Sequence, residues 1–476
     1  MSLLFSVSAL ANGLHFPDAI NFTDNFSDAI TFTVTSKDHN PIANADVTII
    51  TGAEQLHYAY ITDELGQISL PNDLEKPVHI SLSADGYIPN TSWNLNIANQ
   101  VFTLDEEETT LELIASGVTK NYGRLKKDGF VDFSLVIPSL RAEDIIFFDL
   151  TNIISPLSDK IKIDAIGQEY DIPSNISLPR QSESYLFFNI KFNKPEYRVK
   201  LSRQGKHNIV ATHGKFNLKK IISNRNKSVL TFLDHFEFLS SGDEEAVFIT
   251  SKENFDIDVN EVKFTETQTI EVGDYGEDNT VISVGLVEGN DERYFPSDVK
   301  RALANETKEL KFPANIEGSK VLSALIKENT FDSDDDDDDS KTSASIPQMS
   351  VAFTDPNVKA KFLELVAPPV IDEANNKVNI TPPALPDGLK ESNVLVILSE
   401  IEVIDEGSIQ TEKKTHLWQG RSFTWINSFD LPEIAGTLDP DKQYRWEVLF
   451  LAQDNDAEPP VGFKNITHVT RNSFDF

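Results

Sequence analysis

A run of aspartates is the part of the sequence that most directly suggests a chemistry. Its carboxylates belong to Asp332, Asp334, Asp335, Asp336, Asp337, Asp338 and Asp339. Carboxylate oxygens are the ligands that calcium prefers, but a calcium loop also needs a glycine-type turn and a distal acid at fixed spacing. The tract contains no Gly and is followed by no Glu within ten residues. We interpret it as a solvated, self-repelling spacer in which weak calcium binding is a secondary property.

One segment is strongly basic, although the chain as a whole is acidic. Between positions 191 and 227 there are eleven Lys and Arg residues and a single acid, Glu196. An anionic-ligand patch in this segment would be formed by Lys200, Arg203, Lys206, Lys215, Lys219, Lys220, Arg225 and Lys227. Three interpretations stay open: a patch for an acidic polymer such as a polysaccharide, a docking surface for acidic parts of the same chain, or a solvated sheet face. Aromatic residues are sparse here, which disfavours stacking on single-stranded nucleic acid.

The remaining candidates for catalysis are weak. The chain has nine His, and none forms the H-x-x-x-H or H-x-H spacing of a zinc site. His207 and His213 are the closest pair, and we expect them in an ordinary surface loop. The G-x-S-x-G, P-loop and G-x-G-x-x-G motifs are absent, and paired carboxylates say little in a chain with 76 acids. The sequence therefore predicts no catalytic residue, no cofactor apart from the calcium considered above, and a protein that is not an enzyme.

Composition narrows the class of protein. The 476 residues carry 42 Lys and Arg against 76 Asp and Glu, a net charge of −34 that repels nucleic acid and anionic membranes. The hydrophobic fraction of 39% is that of a folded chain, and the length suits roughly three domains. Because there is no Cys, disulfides, thiol catalysis and cysteine metal sites are excluded.

Most periodic segments have the alternation and the β-branched and aromatic content of strands. They are 30–35, 47–50, 131–136, 185–190, 262–265, 269–272 and 394–398. Turn residues separate them, which predicts an all-β fold of tandem Ig-like or fibronectin-like β-sandwich modules with few short helices. The best helical candidates are Asp355 to Leu365 and Ser297 to Ala304.

Three short motifs characterise the first module. They are Pro41-Ile-Ala-Asn44-Ala-Asp-Val47, Thr62-Asp63-Glu-Leu-Gly66 and Ala84-Asp-Gly86-Tyr87. In physical terms, Pro41 and Asn44 suit a turn, Asp63 to Gly66 a tight turn, and Gly86 a positive φ before an inward Tyr87. The succession resembles carboxypeptidase-regulatory-like domains, which implies a small Ig-like or transthyretin-like sandwich serving as a spacer or binding platform.

The last module shows a second resemblance. Val366-Ala-Pro-Pro-Val370 is followed by Trp418, Trp425 and the segment Leu438-Asp-Pro-Asp-Lys-Gln-Tyr444-Arg-Trp446-Glu-Val448. This pattern resembles fibronectin type III domains, although the pair Trp418 and Trp425 departs from the usual single early core Trp. We expect Trp418, Trp425 and Trp446 to pack in the core rather than stack on carbohydrate.

Composition also predicts the domain boundaries. They are a possible signal-peptide remnant at 1–11, a carboxypeptidase-regulatory-like sandwich at 14–115, β-rich domains at 116–240 and 241–328, an acidic disordered linker at 329–346, and a fibronectin type III-like sandwich at 347–476. The middle region from 116 to 328 matches no family pattern.

Export is predicted from the first residues. A short apolar run closes on Ala9-Leu10-Ala11, an A-x-A pattern that signal peptidases accept, although a basic n-region is missing. The alternative is an ordinary hydrophobic first strand. No stretch has the ~20 apolar residues of a transmembrane helix. We therefore expect an acidic, bacterial-type protein located outside the cell or in the cell envelope.

Together these features favour a non-enzymatic surface, adhesive or assembly component whose partners are proteins or polysaccharides at the cell surface. The alternative is an exported carbohydrate- or peptide-directed hydrolase with its catalytic unit in residues 116–328. Two facing carboxylates in a cleft, or a His-carboxylate cluster, would favour that alternative. An intracellular β-rich scaffold is a weaker third possibility.

Overall fold

The structure is a computed structural model that describes most of the chain. The described residues are 30–36, 39–52, 55–71, 74–95, 100–105, 113–121, 130–146, 160–165, 168–173, 175–177, 185–189, 196–201, 205–217, 219–220, 233–248, 252–276, 278–289, 293–327, 348–405, 410–457 and 465–476. The predicted signal-peptide remnant and the predicted acidic linker lie outside them.

Seven strands form the first part of the described chain. They are β1 (Ile30–Ser36), β2 (Asp46–Thr51), β3 (Leu56–Ile61), β4 (Gln67–Leu70), β5 (Val78–Ser83), β6 (Asn90–Trp93) and β7 (Gln100–Leu104). Their connections include the predicted turns. Asp63 Oδ1 accepts hydrogen bonds from the N–H groups of Leu65 and Gln67. Gly66 has a φ of +69°, and a Cβ there would collide with the Val34 carbonyl oxygen, so the turn requires glycine.

The middle region contains seventeen of the described strands and one short helix. The strands are β8 (Leu113–Lys120), β9 (Phe130–Pro138), β10 (Leu140–Arg141), β11 (Lys160–Ala165), β12 (Gln168–Pro173), β13 (Asn175–Ser177), β14 (Tyr185–Asn189), β15 (Glu196–Leu201), β16 (Gly205–Asn217), β17 (Phe236–Phe248), β18 (Lys252–Asn254), β19 (Ile257–Asp258), β20 (Val262–Glu271), β21 (Asn279–Glu288), β22 (Arg293–Leu303), β23 (Thr307–Pro313) and β24 (Lys320–Lys327). The helix α1 spans Ala142–Ile146.

The last part of the described chain adds eight strands. They are β25 (Gln348–Thr354), β26 (Val370–Asp372), β27 (Lys377–Asn379), β28 (Leu389–Asp405), β29 (Gln410–Ser422), β30 (Ser428–Asp430), β31 (Gln443–Asp454) and β32 (His468–Asp475). Two short 3-10 helices, Glu373–Asn375 and Glu433–Thr437, connect them. None of the described helices has the length and apolar character needed to cross a bilayer.

The all-β prediction is confirmed, and the described residues of every predicted strand lie within an observed one, apart from Val272, which follows β20. Both predicted helices are wrong. In the window from Ser297 to Ala304, the chain through Leu303 belongs to β22 and Ala304 lies in the turn that follows. The long antiparallel ladder of β22 with β21 overrides a weak local preference for helix. Asp355 to Leu365 forms turns and irregular chain, although part of this segment is still buried.

One sheet of thirteen strands runs through the molecule, in the order β10-β22-β21-β24-β25-β32-β31-β28-β29-β6-β5-β2-β3. Its strands come from the first, middle and last parts of the chain. β24 pairs with β25 in an antiparallel ladder, and β29 pairs with β6 in a parallel one. All four of the predicted β-rich modules are therefore joined by main-chain hydrogen bonds. The predicted boundaries between them stay predictions.

Smaller sheets cover this long sheet and complete three sandwiches. The sheet β4-β1-β7 covers β2 and β5, the seven-stranded sheet β13-β14-β9-β16-β17-β20-β23 covers β21, β22 and β24, and the sheet β26-β27-β30 covers β28, β29 and β31. Each pair of layers encloses its own apolar cluster. The sheets β11-β12 and β15-β8-β18, with β19 beside β8, lie outside this scheme.

The core of the last sandwich is aromatic. Trp446 is fully buried and Trp418 is 3% exposed, so the prediction that they pack in the core is confirmed. Trp425 is partly buried and packs on the same cluster, where its Nε1 donates to the Leu451 carbonyl oxygen at 3.0 Å. Trp93 of β6 belongs to this cluster as well.

Candidate functional site

The aspartate tract lies outside the described residues, and its calcium site stays a prediction. Within the ranges that the structure describes, no group of three or more His, Asp or Glu side chains could hold a metal ion.

The basic segment is described in part. Lys206 forms an ion pair with Glu245 at 2.7 Å, and Lys215 forms one with Glu237 at 2.7 Å. Both acids lie on β17, the strand next to β16. Lys219 and Lys220 are exposed. Of the other patch residues, Lys200 lies on β15, while Arg203, Arg225 and Lys227 lie outside the described residues.

The expectation of a surface loop for His207 and His213 is wrong. Both residues lie on β16 and are buried, at 3% and 9% exposure. His213 Nε2 lies 3.1 Å from Asp132 Oδ1 of β9, and the two side chains are 11% and 4% exposed. In the ladder of β16 with β9, Asp132 lies opposite Lys215, two residues along β16 from His213, so the His213 and Asp132 side chains are diagonal neighbours. The sequence alone could not show this, because Asp132 is 81 residues from His213.

An open cleft of about 610 Å³ lies beside the middle sandwich. Its lining residues are charged or hydroxyl-bearing and come mainly from β22 and β23: Asp234, Thr267, Asp298, Lys300, Thr307, Lys308, Glu309 and Lys311. Sequence reasoning singled out none of these residues, because they come from separate strands and form no local motif.

Asp298 is the most buried acid in this cleft. Its side chain is 0% exposed, and Lys300 Nζ lies 2.8 Å from its Oδ1. The N–H groups of Val299 and Lys311 donate to its two oxygens at 3.0 and 3.1 Å. Burial raises the pKa of Asp298 above its ordinary value, against the opposing effect of Lys300. Asp298 is thus held in place by three donors on two strands.

Glu237 links the cleft to the basic segment. It accepts a hydrogen bond from Lys311 Nζ at 2.6 Å and forms its ion pair with Lys215. Burial raises the pKa of Glu237, but the hydrogen bonds from the two lysines outweigh burial and leave that pKa below its ordinary value. The two lysines therefore neutralise part of the charge of β17.

The junction between the first and last sandwiches is formed by close packing. Trp418 Nε1 donates to Thr91 Oγ1 at 3.2 Å, and the rings of Trp93 and Trp418 lie 5.8 Å apart. Gly420 lies beneath them, where an added Cβ would collide with the indoles of both Trp93 and Trp418. Gly420 pairs with Thr91 in the parallel ladder, so its lack of a side chain makes room for both indoles.

A small cleft of about 210 Å³ opens beside this junction. His79 lines it, and the His79 Nδ1 accepts a hydrogen bond from the Asn94 N–H at 3.3 Å. Burial lowers the pKa of His79, and the nearby Asp430 opposes that effect. Across the cleft, Lys377 Nζ lies 3.7 Å from Asp430 Oδ1.

Comparisons with known proteins give no family. No protein-family model matches the chain, and no curated protein does. Among solved structures, the major pilin subunit BcpA of Bacillus cereus is similar over 75% of this chain and 93% of its own, at 11% identity and a TM-score of 0.15.

Two further solved structures show the same weak likeness. A Streptococcal ancillary pilin is similar over 63% of this chain and 90% of its own, at 9% identity and a TM-score of 0.13. The pilus adhesin SpaC from Lactobacillus rhamnosus GG is similar over 84% of this chain and 44% of its own, at 9% identity and a TM-score of 0.15. TM-scores this low do not establish a shared fold. The all-β class follows from the strands of the chain itself.

Proposed function

We propose that the protein is a non-enzymatic component that acts at the cell surface or in the cell envelope, in adhesion or assembly. The observation that carries this proposal is the thirteen-stranded sheet, which serves as one layer of all three sandwiches. Modules joined by a continuous ladder hold fixed relative positions, as a spacer or a presenting platform requires. The turns at Gly66 and Gly86, both with positive φ, support the carboxypeptidase-regulatory-like assignment of the first module.

Cell fractionation of the native host tests the location of the protein. The intact mass of the protein is measured in each fraction. We expect the protein in the envelope or the medium, with a new N-terminus at Asn12 or at a cut before it. Binding to glycans and to surface proteins of the host would then be measured. A cytoplasmic protein that retains Met1 would contradict export and favour an intracellular scaffold.

The exported hydrolase is the second candidate, because residues 116–328 contain both a His-carboxylate pair and a cleft lined by charged residues of both signs. The pair Asp132–His213 is buried, so a substrate has little access to it. Asp298 in the cleft is engaged by three donors, which is typical of a carboxylate that stabilises structure. These contacts favour the non-enzymatic proposal.

Assays on polysaccharide and peptide substrates separate the two candidates. We expect that the wild type turns over these substrates no faster than D298N or D132N does. Each variant should lower thermal stability, because it replaces a buried hydrogen-bonded carboxylate, at a cost of about 1–3 kcal/mol. D234N changes a more exposed acid of the same cleft and is the matched control. Wild-type turnover that is lost in a folded D298N or D132N would establish the hydrolase instead.

A further inference from the structure

The strand β3 ends the thirteen-stranded sheet. Among the described strands it pairs only with β2, in a ladder that runs from Asp46 opposite Ile61 to Thr51 opposite Leu56. An end strand presents one row of N–H and C=O groups to its outer side, where another strand can pair with them. β3 therefore offers a place for the sheet to continue.

The sequence of β3 lacks the features that usually prevent such pairing. Leu-His-Tyr-Ala-Tyr-Ile contains no Lys, Arg, Asp or Glu and no Pro or Gly, and its ladder with β2 has no bulge. Its apolar ends are open to solvent, since Leu56 is 47% exposed and Ile61 is 65% exposed. Tyr and Ile also favour the extended conformation.

Two other end strands in the described chain are protected. β23 carries Lys308, Glu309 and Lys311, and β10 is only two residues long. Charges and short length are the common protections of a sheet edge. β3 has neither protection.

We propose that β3 is a self-association edge, at which a second copy of this chain pairs antiparallel with the same strand. Two copies that each carry a net charge of −34 repel one another over most of their surfaces. They can approach most closely where carboxylates are absent, and the six residues of β3 itself contain none. A basic partner would gain more from the acidic surfaces than from this uncharged edge.

Two-fold symmetry makes the pairing self-complementary. Antiparallel strands related by a two-fold axis present the same donors and acceptors to each other, so each copy forms the same hydrogen bonds. Pairing centred on Tyr58 or Ala59 brings tyrosines of the two copies opposite each other on the side facing the sandwich core. Cross-strand aromatic pairs of this kind stabilise a sheet.

The acidic character of the chain predicts how salt acts. Each copy carries a net charge of −34, and Asp63 and Glu64 follow β3 directly, so pairing brings acidic surfaces of the two copies closer together. Added salt screens this repulsion. Association should therefore become stronger as the salt concentration rises.

Sedimentation of the full chain over a concentration series tests the proposal. We expect a monomer–dimer equilibrium, and I61K should raise the dissociation constant by about tenfold or more, because a lysine on an edge strand disfavours pairing with a further strand. V101K is the matched control. It puts the same charge on an equally exposed β-branched residue of another edge strand, and it should leave the equilibrium unchanged.

Hydrogen exchange provides a second readout that does not depend on a variant. The outward amides of β3 should exchange more slowly as the protein concentration increases, while those of β7 should not. A wild type that stays monomeric up to about 1 mM at high salt would overturn the proposal. A dimer broken by V101K but not by I61K would overturn it too. Association is measured on the purified chain, so a failure of the export experiment leaves this result untouched.

Discussion

His468 is the first residue of β32 and is buried. Its Nδ1 lies 2.8 Å from Thr467 Oγ1, and the residue is 3% exposed. Burial lowers the pKa of His468 to about 4, and the positive charge of Lys361 acts in the same direction, against a backbone hydrogen bond. The imidazole is therefore neutral in the folded protein at pH 7.

This burial predicts a pH dependence of stability. Because the folded pKa lies below the unfolded value of about 6.5, His468 destabilises the fold as the pH falls from about 6.5 to 4, by up to about 3 kcal/mol. H468Q should flatten the pH dependence of the unfolding free energy over this range, measured by urea denaturation. H57Q, at an exposed histidine, is the control. An equal slope for H468Q and the wild type would contradict the burial effect.

Single residues show the limit of sequence reasoning. The turn residues Asp63, Gly66 and Gly86 were predictable because their roles depend on neighbours in the sequence. The contact of His213 with Asp132 was not predictable, because it depends on which two strands lie side by side. The charged cleft around Asp298 was missed for the same reason.

At the level of elements, Gly420 on β29 predicts how the first and last sandwiches are held together. G420A would drive a Cβ into both indoles of the junction, and overpacking of this kind costs about 1–3 kcal/mol. We expect a lower melting temperature and faster proteolysis near β6. G436A is the control, since a Cβ at Gly436 meets nothing within 4 Å.

Calorimetry of G420A tests whether the junction couples the unfolding of the first and last sandwiches. If the junction couples the sandwiches, calorimetry should show the first sandwich unfolding separately in the variant but together with the last one in the wild type. Identical melting of wild type and G420A would mean that the β6·β29 ladder does not hold the sandwiches together.

The strands themselves were largely predictable, and their pairing was not. Alternation in segments such as 30–35 and 394–398 is a local property, so it identified β1 and β28. The parallel ladder between β6 and β29 joins distant segments, in which the hydrogen-bonded side chains of Thr91 and Trp418 are 327 positions apart, and no local pattern indicates it. The helix predicted from Ser297 to Ala304 is wrong because the 11-residue strand β22 forms a long ladder with β21. This ladder outweighs the local preference for helix.

For the whole molecule, the net charge predicts a salt effect on stability. With −34 charges the folded chain repels itself, and raising the NaCl concentration from about 20 to 500 mM should raise the melting temperature by a few degrees. The same comparison near the isoelectric point is the control, because little net charge is left to screen. A melting temperature that falls with salt at pH 7 would show that ion pairs such as Lys414–Glu447 outweigh the repulsion.

The parallel ladder of β6 with β29 forms between strands that are synthesised far apart in time. Thr91 and Trp418, which share a hydrogen bond, are 327 residues apart. At about 5–20 residues per second, a ribosome takes roughly 15–65 s to add that length of chain. During this interval Trp93 has no partner indole, and the first sandwich exposes one unpaired edge of β6. Contacts of such long sequence separation also form slowly, so the nascent chain would gain from a chaperone that covers β6 until β29 has emerged.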